Sequence, residues 1–142
     1  MKTIVAYLAG ISLLGTINLK AQESVVPTND PNAPEIKFES EIIDYGVIPY
    51  DSDGIREFKF KNVGKSPLTI TNVQGECGCT ATTIDGKPGW PQEPILPGKT
   101  GTIKVKYDTK RVGRFEKNVT VTSNAKYPVV KLKIKGEVKP KE

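Results

Sequence analysis

Val130-Lys131-Leu132-Lys133-Ile134-Lys135-Gly136-Glu137-Val138 alternates aliphatic and charged side chains along nearly its whole length. Val130, Leu132, Ile134 and Val138 share one side of such a segment, and Lys131, Lys133, Lys135 and Glu137 share the other. Successive side chains of a strand point to opposite faces, so this pattern is a strand with one face in a core and one in water. Sheets wetted on one face are built from antiparallel strands.

The same period recurs upstream. Ile36 and Phe38 alternate with Lys37 and Glu39, and Ile43 to Ile48 makes a second short segment ending at Pro49. Phe58 and Phe60 sit between Glu57, Lys59 and Lys61; Leu68 and Ile70 alternate with Thr69 and Thr71. Ile103, Val105 and Tyr107 alternate with Lys104, Lys106 and Asp108. Phe115, Val119 and Val121 continue the pattern, but Lys117 falls in the apolar register, which predicts a bulge or an edge there. Turn chemistry separates the segments: Asp51-Ser52-Asp53-Gly54, Asn62 to Pro67, Pro97-Gly98 and Ser123-Asn124. Ala81 to Ile84 is a further brief strand, and Asp85 to Glu93 reads as a loop whose Trp90 could be a ligand-stacking platform, against the favoured role of an anchor folded onto the core. No stretch has a helical period. About seven short strands in one domain predict an all-β, immunoglobulin-like sandwich of antiparallel strands.

Composition agrees with one domain: 142 residues, 37% hydrophobic and 26% charged, with 13 glycines and 11 prolines to supply turns. The chain opens with Lys2, an apolar run from Ile4 to Leu14, and a small residue at Ala21. That order is a secretory signal peptide, and the run is too short to span a bilayer. Residues 1–21 are therefore expected to be removed, leaving no membrane span. Residues 22–34, QESVVPTNDPNAP, are rich in proline and polar groups and read as a flexible linker. The sandwich is expected over 35–139, with a tail at 140–142. Formal charge is +5, and loss of Lys2 and Lys20 leaves 5 − 2 = +3, a modest excess that does not point to nucleic acid.

The chain has no histidine, and its one methionine is Met1. The commonest general base and metal ligand is absent, and no Ser/His/Asp set can be built. No paired carboxylates or phosphate loop stand out, so the chain reads as a non-enzyme with no cofactor. Its only chemical motif is Glu76-Cys77-Gly78-Cys79-Thr80. Neighbouring thiols seldom stay free in an oxidising compartment. A Cys77–Cys79 bridge would close a small ring, and strained bridges exchange readily, which is a redox reading. Two thiolates could instead hold a soft metal such as Cu(I), although one chain offers too few soft ligands and would have to share. The third and leading reading is structural: small sulfurs packed beneath a loop. Lys131, Lys133 and Lys135 form a stripe that could meet an anionic ligand, against the plainer role of discouraging sheet-to-sheet aggregation.

These residues carry a likeness. The order Asp44-Tyr45-Gly46, Phe58 to Gly64, Pro67 to Ile70, Cys77-Gly78-Cys79-Thr80, Ile95 to Gly98, Gly113-Arg114-Phe115 and Ser123-Asn124 resembles the domain of unknown function 1573 family. The likeness spans about Ile36 to Val138. It implies an exported immunoglobulin-like domain, periplasmic or extracellular, from a Gram-negative bacterium. It implies no activity and carries no catalytic residue across; the family's cysteine pair maps onto Cys77 and Cys79. The function expected is a non-catalytic interaction or structural module of the cell envelope, with other envelope proteins or acidic polysaccharide as partners. The alternative is a thiol-redox or copper-handling protein using Cys77 and Cys79. Intact mass of the protein recovered from its host tests export: the signal-peptide order predicts Gln22 as the first residue. A full-length cytoplasmic chain would contradict it.

Overall fold

The computed structural model describes residues 27–142; the expected signal peptide and the first residues of the expected linker lie outside them. The described residues contain ten strands and no helix. Four strands make the first sheet: β1 (Ile36–Phe38), β3 (Ile55–Asn62), β8 (Thr100–Tyr107) and β5 (Thr80–Ala81), in the order β1-β3-β8-β5. Four more make the second: β2 (Ile42–Ile48), β10 (Val129–Val138), β9 (Gly113–Ser123) and β4 (Ile70–Gly75), in the order β2-β10-β9-β4. The short strands β6 (Thr83–Ile84) and β7 (Lys87–Pro88) form a separate ribbon.

The alternation decides what lies between the sheets. Phe58, Phe60, Ile103 and Val105 from the first sheet meet Val119, Val121, Leu132 and Ile134 from the second, each no more than 1% exposed. The charged residues between them face outward, as the period of two requires. One end of the core is aromatic. Tyr107 and Phe115 stack with centroids 3.7 Å apart, Tyr45 meets Phe115 edge-on, and the Arg56 guanidinium caps the Tyr45 ring at 4.3 Å. The Tyr45 hydroxyl donates to the Gly54 carbonyl at 2.7 Å, and burial pushes its phenol up to about 12.

The sandwich is thus all-β as the periodicity predicts, with one pairing that local periodicity cannot reveal. β2 runs parallel to β10, while the remaining pairs are antiparallel. The chain steps from β1 to β2 across the side of the sandwich through Glu39-Ser40-Glu41, and so enters the second sheet beside the last strand. At Lys117 there is no bulge: β9 pairs with β10 in continuous register, Lys117 opposite Ile134. The ladder from β4 stops at Val119, and Glu76 extends it only to Asn118, so Lys117 lies on an open edge.

Two departures concern loops. Leu68 does not start β4 but pairs alone with Ile95, each N–H donating to the other's carbonyl at 2.8 and 2.7 Å. Within the linker expected at 22–34, Thr28 to Pro34 is fastened to the domain. Thr28 N–H donates to the Lys126 carbonyl, Lys126 N–H to the Pro34 carbonyl, and the Ser66 hydroxyl to the Asn32 carbonyl. A stretch without its own periodicity can still be tied down through its backbone.

Asn62 joins these loops. It is fully buried; its Nδ2 donates to the Ser66 and Ile95 carbonyls at 2.8 and 2.9 Å, and its Oδ1 accepts from Gly64 and Glu35 N–H groups at 3.0 and 3.4 Å. Asn62→Ala would take the acceptor from the Gly64 and Glu35 N–H groups and the donor from the Ser66 carbonyl, and is expected to cost about 3 kcal/mol. Phe60→Ala should cost about 3–5 kcal/mol and the outward Lys131→Ala close to nothing. Urea unfolding of the three variants checks this; a Lys131 effect equal to the other two would contradict the register.

Candidate functional site

The cysteine motif lies where the chain changes sheets. β4 is the edge of the second sheet and β5 the edge of the first, and Glu76 to Cys79 carries the chain between them. The crossing is tight. A Cβ on Gly75 would lie 2.3 Å from the Thr80 carbonyl oxygen, so only glycine fits there. The two sulfurs are bonded to each other, with Cα atoms 5.2 Å apart. Cys79 is 2% exposed and part of the core; Cys77 is half-buried and packs against it.

Hydrogen bonds hold the corner on both sides. The Cys79 carbonyl accepts from Asp108 N–H at 2.8 Å, and the Cys77 carbonyl accepts from Thr80 N–H at 3.2 Å. Glu76 grips Asn118 twice: its N–H donates to the Asn118 carbonyl at 3.0 Å, and its carboxylate accepts the Asn118 N–H at 2.9 Å. The Thr82 hydroxyl donates to the Val73 carbonyl at 2.7 Å, partly closing the β4 edge.

Next to the corner stands the β6–β7 hairpin, in the stretch expected to be one strand and a loop. Asp85 and Gly86 both have positive φ, 54° and 75°, which is the two-residue turn that Asp-Gly favours. That dipeptide between Thr83-Ile84 and Lys87 was the signal for it. The ribbon is tied to β8 through Gly89, whose carbonyl accepts Lys104 N–H at 2.7 Å. Trp90 packs half-buried against the core, the anchor expected of it.

What this corner can do follows from its surroundings. Reactive thiols sit beside cations that lower their pKa. The shallow groove over Cys77 is lined by Gln74, Glu76, Thr80, Thr82 and Thr83 among others, and its one charged group is an acid. A thiolate released there would face Glu76 on one side and an apolar core on the other. Bridged sulfurs also present no thiolate to copper, and among the described residues no three cysteine, aspartate or glutamate side chains converge as a metal site.

The expected lysine stripe is brought together, but not as a bare cationic face. On the outer side of the second sheet Lys133 pairs with Glu116 at 2.6 Å, and this bond from Lys133 holds the Glu116 carboxyl below its ordinary range. Lys135 lies between Glu116 on β9 and Asp44 on β2, and Glu137 meets Arg114 at 4.0 Å. Lys131 faces Thr120. Acids from three strands interleave the lysines. Lys37, Lys59, Lys61, Lys104 and Lys106 share the outer face of the other sheet, where Lys104 pairs with Glu57 at 3.7 Å and Lys106 lies beside Asp53 and Asp108.

Comparison with solved structures shows the fold. A protein of unknown function from Porphyromonas gingivalis W83 is similar at a TM-score of 0.62 and 16% identity, over 78% of this chain and 49% of that one. The ASH/PapD-like domain 7 of human CEP192 is similar at 0.59 and 9% identity, over 86% of this chain and 97% of that domain. The secreted serine protease VesC from Vibrio cholerae is similar at 0.54 and 13% identity, over 73% of this chain and 23% of the protease. This chain thus spans about half of the first of these proteins and under a quarter of VesC. No curated protein matches in sequence. A family model does, over residues 36–138, the extent of the likeness noted in the sequence. The chain belongs to the DUF1573 family, proteins of unknown function.

Proposed function

We propose that this chain is a non-catalytic interaction or structural module of the bacterial cell envelope, acting through its outer faces. The observation that carries this is the position of its one chemical motif. Cys77 and Cys79 are joined at the crossing between sheets, one sulfur in the core and no cation beside the other. That is where a clasp for the scaffold belongs, and a poor place for a thiolate nucleophile. A bridge that forms and persists also suits an oxidising compartment, in line with the export expected from the N-terminus. Among the described residues no helix is long and apolar enough to cross a membrane.

Thiol exchange is the second reading, and the half-exposed Cys77 sulfur favours it, since a partner thiolate could reach it from the groove. The two readings part on one substitution. In the structural reading Cys77→Ser/Cys79→Ser loses the closed loop and places a hydroxyl in the core, costing about 2–4 kcal/mol in chemical denaturation. Wild type should then trap no partner protein as a mixed disulfide. A double-serine protein as stable as wild type, with wild type exchanging disulfides, would establish the redox reading instead.

A further inference from the structure

We infer that the open half of β9 takes up one extended strand of a partner protein, antiparallel to it, with a basic residue opposite Glu116 and an acidic residue opposite Arg114. This rests on the reading of the chain as an interaction module, and adds the kind of partner it meets. β9 is paired along its whole length with β10, but β4 leaves its other side at Gly75, opposite Val119. Glu76 N–H then donates to the Asn118 carbonyl, and the Glu76 carboxylate accepts the Asn118 N–H. The main-chain groups of Asn118 therefore point away from β10. Along a strand these groups alternate sides, so the N–H and C=O of Glu116 and of Arg114 point the same way as those of Asn118. Among the described residues no strand lies beside them. Continuing the β4 ladder would bring Gly78 opposite Glu116; the corner turns back instead, with Thr80 N–H donating to the Cys77 carbonyl.

Edges elsewhere are occupied by the chain's own side chains. On β2 the Ser40 hydroxyl accepts the Ile42 N–H at 3.3 Å and donates to the Ile42 carbonyl at 2.7 Å, and the Asp44 carboxylate accepts the Gly46 N–H at 2.8 Å. On β4 the Thr82 hydroxyl holds the Val73 carbonyl. The ordinary guard of an open edge is an inward-pointing charge, and β9 has one in the half-buried Lys117. Lys117 stands beside the Arg114–Glu116 stretch rather than in it. It rejects a wholly aliphatic strand, and so narrows the partner without closing the edge.

The step at this edge admits one strand. Tyr107 stacks on Phe115, so β8 lies beneath β9 here, and β5 pairs with β8 at Tyr107 and Lys106, one strand farther out. The first sheet thus reaches one strand beyond the second. A single added strand would lie over β5, whereas a second copy brought edge to edge would need its own β8 where β5 already runs. Charge then selects the side chains. Asp44, Lys135 and Glu116 stand opposite one another in a row across β2, β10 and β9, and Glu137 and Arg114 stand in the next row. Signs alternate along each row, and the rows stop at the open edge on an acid and on a base. Both ends are free to meet a further strand: the Arg114 side chain is 89% exposed and the Glu116 side chain 61%. Opposite charges across a strand pair are favourable and like charges unfavourable, so an antiparallel strand that continues both rows reads basic, apolar, acidic from its N-terminus. Its middle residue faces inward beside the buried Phe115. Main-chain bonds supply the affinity of such an added strand, and its alternate side chains supply the specificity.

The test follows amide hydrogen exchange of the purified protein with the capped peptide Thr-Lys-Val-Glu-Thr. In the free protein the Arg114 and Glu116 amides should exchange at least about tenfold faster than those of Phe115 and Lys117, which face β10. Saturating peptide should slow the Arg114 and Glu116 amides by about tenfold or more. The charge-reversed peptide Thr-Glu-Val-Lys-Thr should bind at least about tenfold more weakly, or about 1.4 kcal/mol. So should the first peptide once methylated on the backbone nitrogens of its lysine and glutamate. Arg114→Glu/Glu116→Arg should exchange the preference between the two charged peptides, a gain that a misfolded variant cannot show. Equal binding of the two peptides, indifference to the methyl groups, or no slowing at Arg114 and Glu116 would overturn the inference. Protection of those amides that rose with protein concentration alone would give the edge to a second copy and overturn it too. Peptide binding by a protein that also exchanged disulfides would contradict only the proposed function. An inert protein whose edge ignored the peptide would contradict only this inference.

Discussion

The passage of Gly75 beneath the Thr80 carbonyl is the constraint on which the rest of this sandwich depends. With 2.3 Å between that oxygen and a Cβ at position 75, the approach admits no side chain. It brings the edge of one sheet against the edge of the other, and only Glu76, Cys77, Gly78 and Cys79 lie between. Everything near the crossing fastens it: the Asp108 bond to the Cys79 carbonyl, the double grip of Glu76 on Asn118, and the sulfur bridge. A crossing so short leaves little room for loops to carry chemistry, and it puts one sulfur into the core.

This placement changes what the motif means. Two cysteines separated by glycine in a chain expected to be exported invite redox or copper readings, because the sequence shows their proximity and hides their neighbours. The structure supplies the neighbours: an acid, several threonines and a wall of apolar side chains. Neighbours of that kind raise the cost of a thiolate rather than lower it. The surfaces are then left as the places where the molecule meets others. On both outer faces acids stand among the lysines.

Legibility followed the reach of each signal. Phe58, Phe60, Ile103, Val105, Leu132 and Ile134 were readable as core because burial on one face of a strand writes a period of two into the chain. The parallel pairing of β2 with β10 was not, since alternation records which way a side chain points and nothing about the partner strand's direction. The Asp85-Gly86 hairpin was present as a turn dipeptide but flanked by only two residues on each side, too few for a period. The stripe of Lys131, Lys133 and Lys135 was conspicuous because it is contiguous. Its balancing acids, Asp44 and Glu116, come from other strands and meet it only once the sheet is formed. For the same reason the lysines of the other outer face, gathered from β1, β3 and β8, leave no run in the sequence.

On this reading the Cys77–Cys79 bridge serves the crossing between sheets. Amide hydrogen exchange on the oxidised and reduced protein tests it most directly. If the bridge is a clasp, reduction should cost the Thr80, Asp108 and Asn118 amides about tenfold or more in protection, by local opening at the corner. The Val121 and Leu132 amides, deep in the second sheet, should keep theirs. Unchanged protection at all five positions would show a bridge that the fold does not use, and would contradict the account.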